Sequence, residues 1–169
     1  EDFFEKKVFG ASGTSAVLPA VTHAHYELAS MLLDAGADPN AAEQGWTALH
    51  AITWVRQPGY ASNDPAPEGS GNMTSIEFVK KIAAKGANLN AKMTVRTSVG
   101  LSSLNTSGAT PFLLAARTGV AGLMRLLAKL GADPLMPNVD GTAPLMVAAA
   151  DKSVFFDGDS LKEEYENGN

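Results

Sequence analysis

Two histidines one residue apart, His23 and His25, are the first side chains in this chain whose type and spacing could do chemistry. An H-x-H pair can turn two imidazole nitrogens toward one metal ion, but a metal site also needs further nitrogen, sulfur or carboxylate ligands. The regular spacing of the chain places no third histidine or acidic residue beside them, so no metal is expected. Asp157-Gly158-Asp159-Ser160 has the look of the start of a calcium loop. Such a loop continues with oxygen ligands, a glycine and a glutamate at fixed offsets, and Glu163 and Glu164 fall too early for that frame. Cysteine is absent, which removes disulfides, thiolate metal sites and thiol nucleophiles together. Serine, threonine and histidine are present, yet no nucleophile elbow, phosphate-cradling glycine loop or paired carboxylates in a cleft can be read. The expectation is a non-catalytic protein without a cofactor. Asn72-Met73-Thr74 and Asn105-Thr106-Ser107 fit the N-glycosylation acceptor pattern, which matters only where the host glycosylates exported proteins.

Composition narrows the partners. The chain has 169 residues, 45% of them hydrophobic, enough to build one domain with a stable core. A formal net charge of −5 offers no general attraction to phosphate backbones, so nucleic acid is not an expected partner. No apolar run approaches the length needed to span a bilayer, and residues 1–20 lack the charged and apolar regions of a signal peptide. No membrane insertion is expected.

The elements that must position any functional side chain are read most clearly at residues 108–134, GATPFLLAARTGVAGLMRLLAKLGADP. Thr110-Pro111 opens a short helix, because threonine caps and proline suits the first helical turn. Gly119 breaks the chain tightly, a second helix with an apolar stripe follows, and Gly131 stops it. The frame recurs from Gly13 (GTSAVLPAV, then HYELASMLLDAGADPN), from Gly45 (GWTALHAITW, then IEFVKKIAAKGANLN) and, shortened, from Gly141 (GTAPLMVAAA). These glycines are spaced by 32, 63 and 33 residues.

This repeat resembles the ankyrin repeat, whose hallmark is G-x-T-P-L-H-x-A-A followed by a second helix ending in G-A-D-x-N. The resemblance implies an all-α fold, a solenoid of about four helix pairs over residues 13–150, with repeats at 13–44, 45–91 and 108–140 and a partial one at 141–150. It also implies that Thr47 and His50 hydrogen-bond one another and nearby backbone, that Thr110 and Pro111 open their helix, and that His25 has a structural place at the inter-helix turn. In the first repeat Ser15 stands in place of threonine, and Pro19, counted from Ser15 as cap, falls where some distortion of the helix is expected. In the helix from Tyr26 to Ala35, the spacing of Leu28, Met31, Leu32 and Ala35 predicts the buried face.

The doubled spacing between Gly45 and Gly108 marks two insertions, at 55–74 and 92–107. The first is dense in proline, glycine, serine and asparagine and reads as a loop. In an ankyrin stack the two would project from different ends and not meet. Loops of this length either serve a partner or decorate the packing.

At the N-terminus, EDFFEKKV is similar to the opening of a cytochrome c module of planctomycete and related bacterial proteins. That likeness stops after eight residues and lacks the haem-attaching cysteines and histidine, so no covalent haem is expected. The link implies an extracytoplasmic compartment; without it residues 1–12 read as a cap and the compartment as cytoplasmic. Residues 151–169 read as a C-terminal cap or tail, in which Val154, Phe155 and Phe156 could fold back onto the open end of the stack.

Ankyrin stacks meet partners with their finger tips and first-helix ridge. Alignment puts Trp46, Trp54, Arg117 and His23 on that surface, and Trp46, Trp54, Arg56 and Tyr60 form the expected anchor, aromatic and arginine side chains being those that dominate interfaces. The other reading of the two tryptophans is that they pack the insertion against its own repeat. The expected function is a scaffold that binds another protein, the alternative a structural subunit that self-associates through its stack ends into a filament or oligomer.

Overall fold

The computed structural model describes residues 15–55, 70–97 and 104–150. Gly13, residues 1–12, Arg56, Tyr60, most of the first insertion, the middle of the second and the tail 151–169 lie outside the described residues. Among the described residues there are seven helices and no strand: α1 (Val17–Thr22), α2 (Tyr26–Asp34), α3 (Ala48–Val55), α4 (Ser75–Ala84), α5 (Pro111–Arg117), α6 (Ala121–Leu130) and α7 (Pro144–Ala150). None is long and apolar enough to cross a membrane.

Local sequence accounts for the helix ends. Thr110 caps α5 by accepting the Leu113 amide at 3.2 Å, and Pro111 follows at the first helical position, where a missing amide costs no hydrogen bond. Thr74 and Glu77 form a reciprocal capping box on α4: the Thr74 hydroxyl accepts from the Glu77 amide, and Glu77 accepts from the Thr74 amide at 2.7 Å. Gly131 ends α6 in the left-handed conformation.

The helices form two layers. α1 packs on α3, α3 on α5 and α5 on α7; α2 packs on α4 and α4 on α6, while α1–α2 and α5–α6 pack as pairs. Between the layers runs one apolar cluster from Val17 to Ala132, with Leu49, Ile52, Phe78, Leu123 and Leu127 fully buried. Each such side chain contributes about 1.5–3 kcal/mol on leaving water. A second cluster of Met93, Ala109, Leu113, Leu114 and Val147 lies beside the first.

The turns between units share a bonding pattern. Asp38, Asn88 and Asp133 each accept the amide two residues on, from Asn40, Asn90 and Leu135, at 2.8–3.0 Å. Asn40 then accepts the Asn88 amide and donates to the Gly86 carbonyl, and Asn90 accepts the Asp133 amide at 2.8 Å. Gly108 and Gly45 leave no room for a side chain. Gly108 has φ +76°, and a Cβ there would lie 2.9 Å from the Val139 backbone nitrogen; a Cβ on Gly45 would meet Val95.

Two local expectations are corrected. The buried residues of α2 are Ala29, Ser30 and Leu33, whereas Leu28 and Met31 are 47% and 68% exposed. The two sets lie on nearly opposite sides of the helix, and the close approach of α1 and α4 selects the side with the small residues. Pro19 brings no distortion of the kind expected. α1 begins at Val17, two residues after Ser15, so Pro19 is the third helical residue, inside the turn whose amides have no intrahelical partner. The Ser15 hydroxyl accepts the Val17 amide at 3.4 Å.

Candidate functional site

The second unit carries the chemically richest cluster, built on the turn before α3. Thr47 and His50 are buried there, three residues apart across the first helical turn. His50 Nδ1 accepts the Thr47 backbone amide at 3.1 Å and lies 2.9 Å from the Thr47 hydroxyl. Nδ1 therefore carries no proton, and Nε2–H donates to the carbonyls of Ala91 and Ala109, at 3.1 and 3.2 Å. One imidazole thus ties the start of α3 to both arms of the next turn. Burial, opposed by these two carbonyls, pushes its pKa down from 6.5 to about 4. A neutral, fully bonded ring of this kind is a brace rather than a proton shuttle.

The next turn closes on that brace. Met93 donates its amide to the Ala109 carbonyl at 2.9 Å and accepts from the Gly108 amide at 2.7 Å, while Thr94 donates to the Gly45 carbonyl. The Thr97 amide bonds the Thr106 hydroxyl at 2.8 Å, so the second insertion is clasped at its base. Met93 is buried in the second cluster. Sequence reasoning assigned it to an insertion; the usable signal was a single methionine between polar residues, too little to separate core from loop.

Trp46 precedes this brace and Trp54 lies one α3 face away. Their rings meet edge to face at 6.1 Å and 76°. Both are partly buried and pack against both apolar clusters. Among the described residues Trp46 Nε1 is shielded and has no acceptor. The tryptophans thus join the two clusters and retain part of their surface for solvent.

The remaining expected residues are dispersed. His23 is exposed, donates through Nδ1 to the Pro19 carbonyl at 2.9 Å and stacks on His25 with ring centres 6.4 Å apart. His25 Nδ1 accepts the Ser70 amide at 3.0 Å, a bond across 45 residues that fixes the approach to α4 and that spacing could not disclose. Both Nδ1 atoms are thereby engaged, and among the described residues no three histidine, cysteine or acidic side chains group as metal ligands. Arg117, expected on the binding surface, is only 3% exposed. It closes α5, a helix buried along its whole length, and so offers no surface to a partner. Arg56 and Tyr60 lie outside the described residues.

Comparison with protein-family models and with curated proteins finds no match.

Proposed function

We propose that the chain is a non-catalytic scaffold of the ankyrin-repeat type, a solenoid of about four units that binds another protein on the side carrying Trp46 and Trp54. The observation that carries this reading is the recurrence of the same inter-unit bonds at the same register, Asn40 to Asn88 and Asn90 to Asp133, beneath helices that pack in sequence order. Units that bury their apolar faces only against neighbours build an extended surface rather than a closed cleft, and such surfaces serve partner binding. His50, the side chain most suited to acid–base work, is spent on holding two turns together. The tryptophan pair is packed against both clusters and is only partly buried, which suits it to serve as an anchor.

The test is affinity capture from the native proteome followed by hydroxyl-radical footprinting of the purified complex. Protection should fall on Trp46 and Trp54, and Trp54→Ala should weaken capture at least tenfold at a temperature where circular dichroism shows the variant still folded, although losing its contacts with both clusters lowers the unfolding midpoint. Protection confined to α2, α4 and α6 would overturn the choice of surface.

A further inference from the structure

Two of the opening glycines seat a valine from the turn that follows their unit. A Cβ on Gly45 would lie 2.6 Å from a Val95 methyl, and one on Gly108 would lie 3.0 Å from a Val139 methyl. In both places the incoming chain is also held by its backbone. The Thr94 amide donates to the Gly45 carbonyl at 2.9 Å, and the Val139 amide to the Ser107 carbonyl at 3.1 Å. Gly45 and Gly108 are accordingly buried. The two incoming segments share a pattern: Met93-Thr94-Val95 and Pro137-Asn138-Val139 each run apolar, polar, valine.

Gly141 opens the last unit and has the same surroundings without the valine. It is exposed, and a Cβ there would meet nothing within 4 Å. Among the described residues neither its carbonyl nor that of Asp140 accepts a hydrogen bond. The helix that follows also lacks cover. Leu145 and Met146, four and five residues after the glycine, are 78% and 58% exposed, whereas their counterparts Leu49, His50, Phe112 and Leu113 are buried. α7 is nevertheless seated, packing on α5 with Val147 in the second cluster. We propose that Gly141 is an open seat of the same kind, and that it takes an extended segment of a partner protein in which an apolar residue, a polar residue and a valine follow one another. A free main-chain carbonyl beside room for one side chain is what strand-type recognition of a peptide uses: the backbone bond holds the segment and the fitted side chain selects it. Leu145 and Met146 add apolar surface for it to cover. The seat belongs to a different unit from Trp46 and Trp54 and does not depend on that pair.

The probe is a capped peptide copied from residues 91–97, AKMTVRT, titrated into the 15N-labelled full chain. The amide resonances of Asp140, Gly141 and Met146 should shift saturably, and the same peptide with aspartate in place of valine should leave them unmoved. Gly141→Ala fills the room from within and should weaken binding of the peptide at least about tenfold. Its urea midpoint should fall no further than that of Gly36→Ala, since both glycines have positive φ and open space around the added methyl. Three results would overturn the proposal: no saturable shift at Gly141 in the wild type, equal binding of the aspartate peptide, or a Gly141 resonance that moves with protein concentration before any peptide is added. The last would give the seat to a second copy. If Gly141→Ala unfolds the last unit, the comparison of the two peptides on the wild type still decides.

Discussion

Acid should loosen this protein through one side chain, His50. In the unfolded chain its imidazole takes up a proton at its ordinary value of 6.5, whereas in the folded protein burial holds that value at about 4. Between those limits the unfolded state binds the extra proton. The stabilisation is complete above pH 6.5, declines as pH falls, and is gone below about 4. The gap is worth about 3 kcal/mol in total, with a slope of at most about 1.4 kcal/mol per pH unit. That is a large share of the roughly 5–15 kcal/mol available to a domain of this kind. Urea titrations followed by tryptophan fluorescence at half-unit steps from pH 7.5 to 4.5 would measure it, beside His50→Gln. The variant should lose about 2–4 kcal/mol at pH 7.5, because the Ala91 carbonyl and the Thr47 amide lose this partner and the Ala109 carbonyl is left with the Met93 amide alone. Its stability should then vary less with pH than that of the wild type. Two carboxyls act in the same direction but at lower pH: hydrogen bonds from Lys85 and Lys81 hold Asp34, and those from Thr74 hold Glu77, below the ordinary carboxylate range. Subtracting the variant curve from that of the wild type removes them. Parallel curves between pH 6.5 and 4.5 would refute the assignment of a neutral, buried brace.

Gly108→Ala should destabilise by at least about 1 kcal/mol more than Gly36→Ala in urea melts: both need positive φ, but only at Gly108 does the new methyl press on backbone. Thr110→Ala should cost about 1 kcal/mol through loss of the α5 cap, and Thr110→Ser should recover most of it. Asn90→Leu should cost about 1 kcal/mol by freeing the Asp133 amide, whereas Leu135→Asn should change stability by less than about 0.5 kcal/mol; equal effects would show that the inter-unit bond carries no energy.

What the sequence disclosed was mostly punctuation. Thr110-Pro111, Gly119 and Gly131 set the α5–α6 pair because capping, φ restriction and positive φ act within a few residues and need no knowledge of the rest of the chain. The Thr47–His50 bond was legible for the same reason, lying within one turn. Which face of α2 is buried was not. Leu28 and Met31 recur at helical spacing just as Ala29 and Leu33 do, and hydrophobicity favours the exposed pair, while Leu32 between the two faces is partly buried against the core. Only the neighbours decide, and they are residues from α1 and α4. Arg117 failed similarly: its place at the end of a first helix was read correctly, but its burial depends on elements far away in the chain.

The turn after each second helix does more than stop it. In GADPN and GANLN the first polar residue folds the turn by accepting the amide two positions on, and the final asparagine reaches forward to the next unit. One residue thus couples the local stop to the long-range register. In GADPL the first function survives, since Asp133 still accepts the Leu135 amide, but the side chain that would reach forward is apolar and exposed. The break falls in the unit that precedes the exposed Leu145 and Met146 of α7. The asparagines at 40 and 90 each order two units at once.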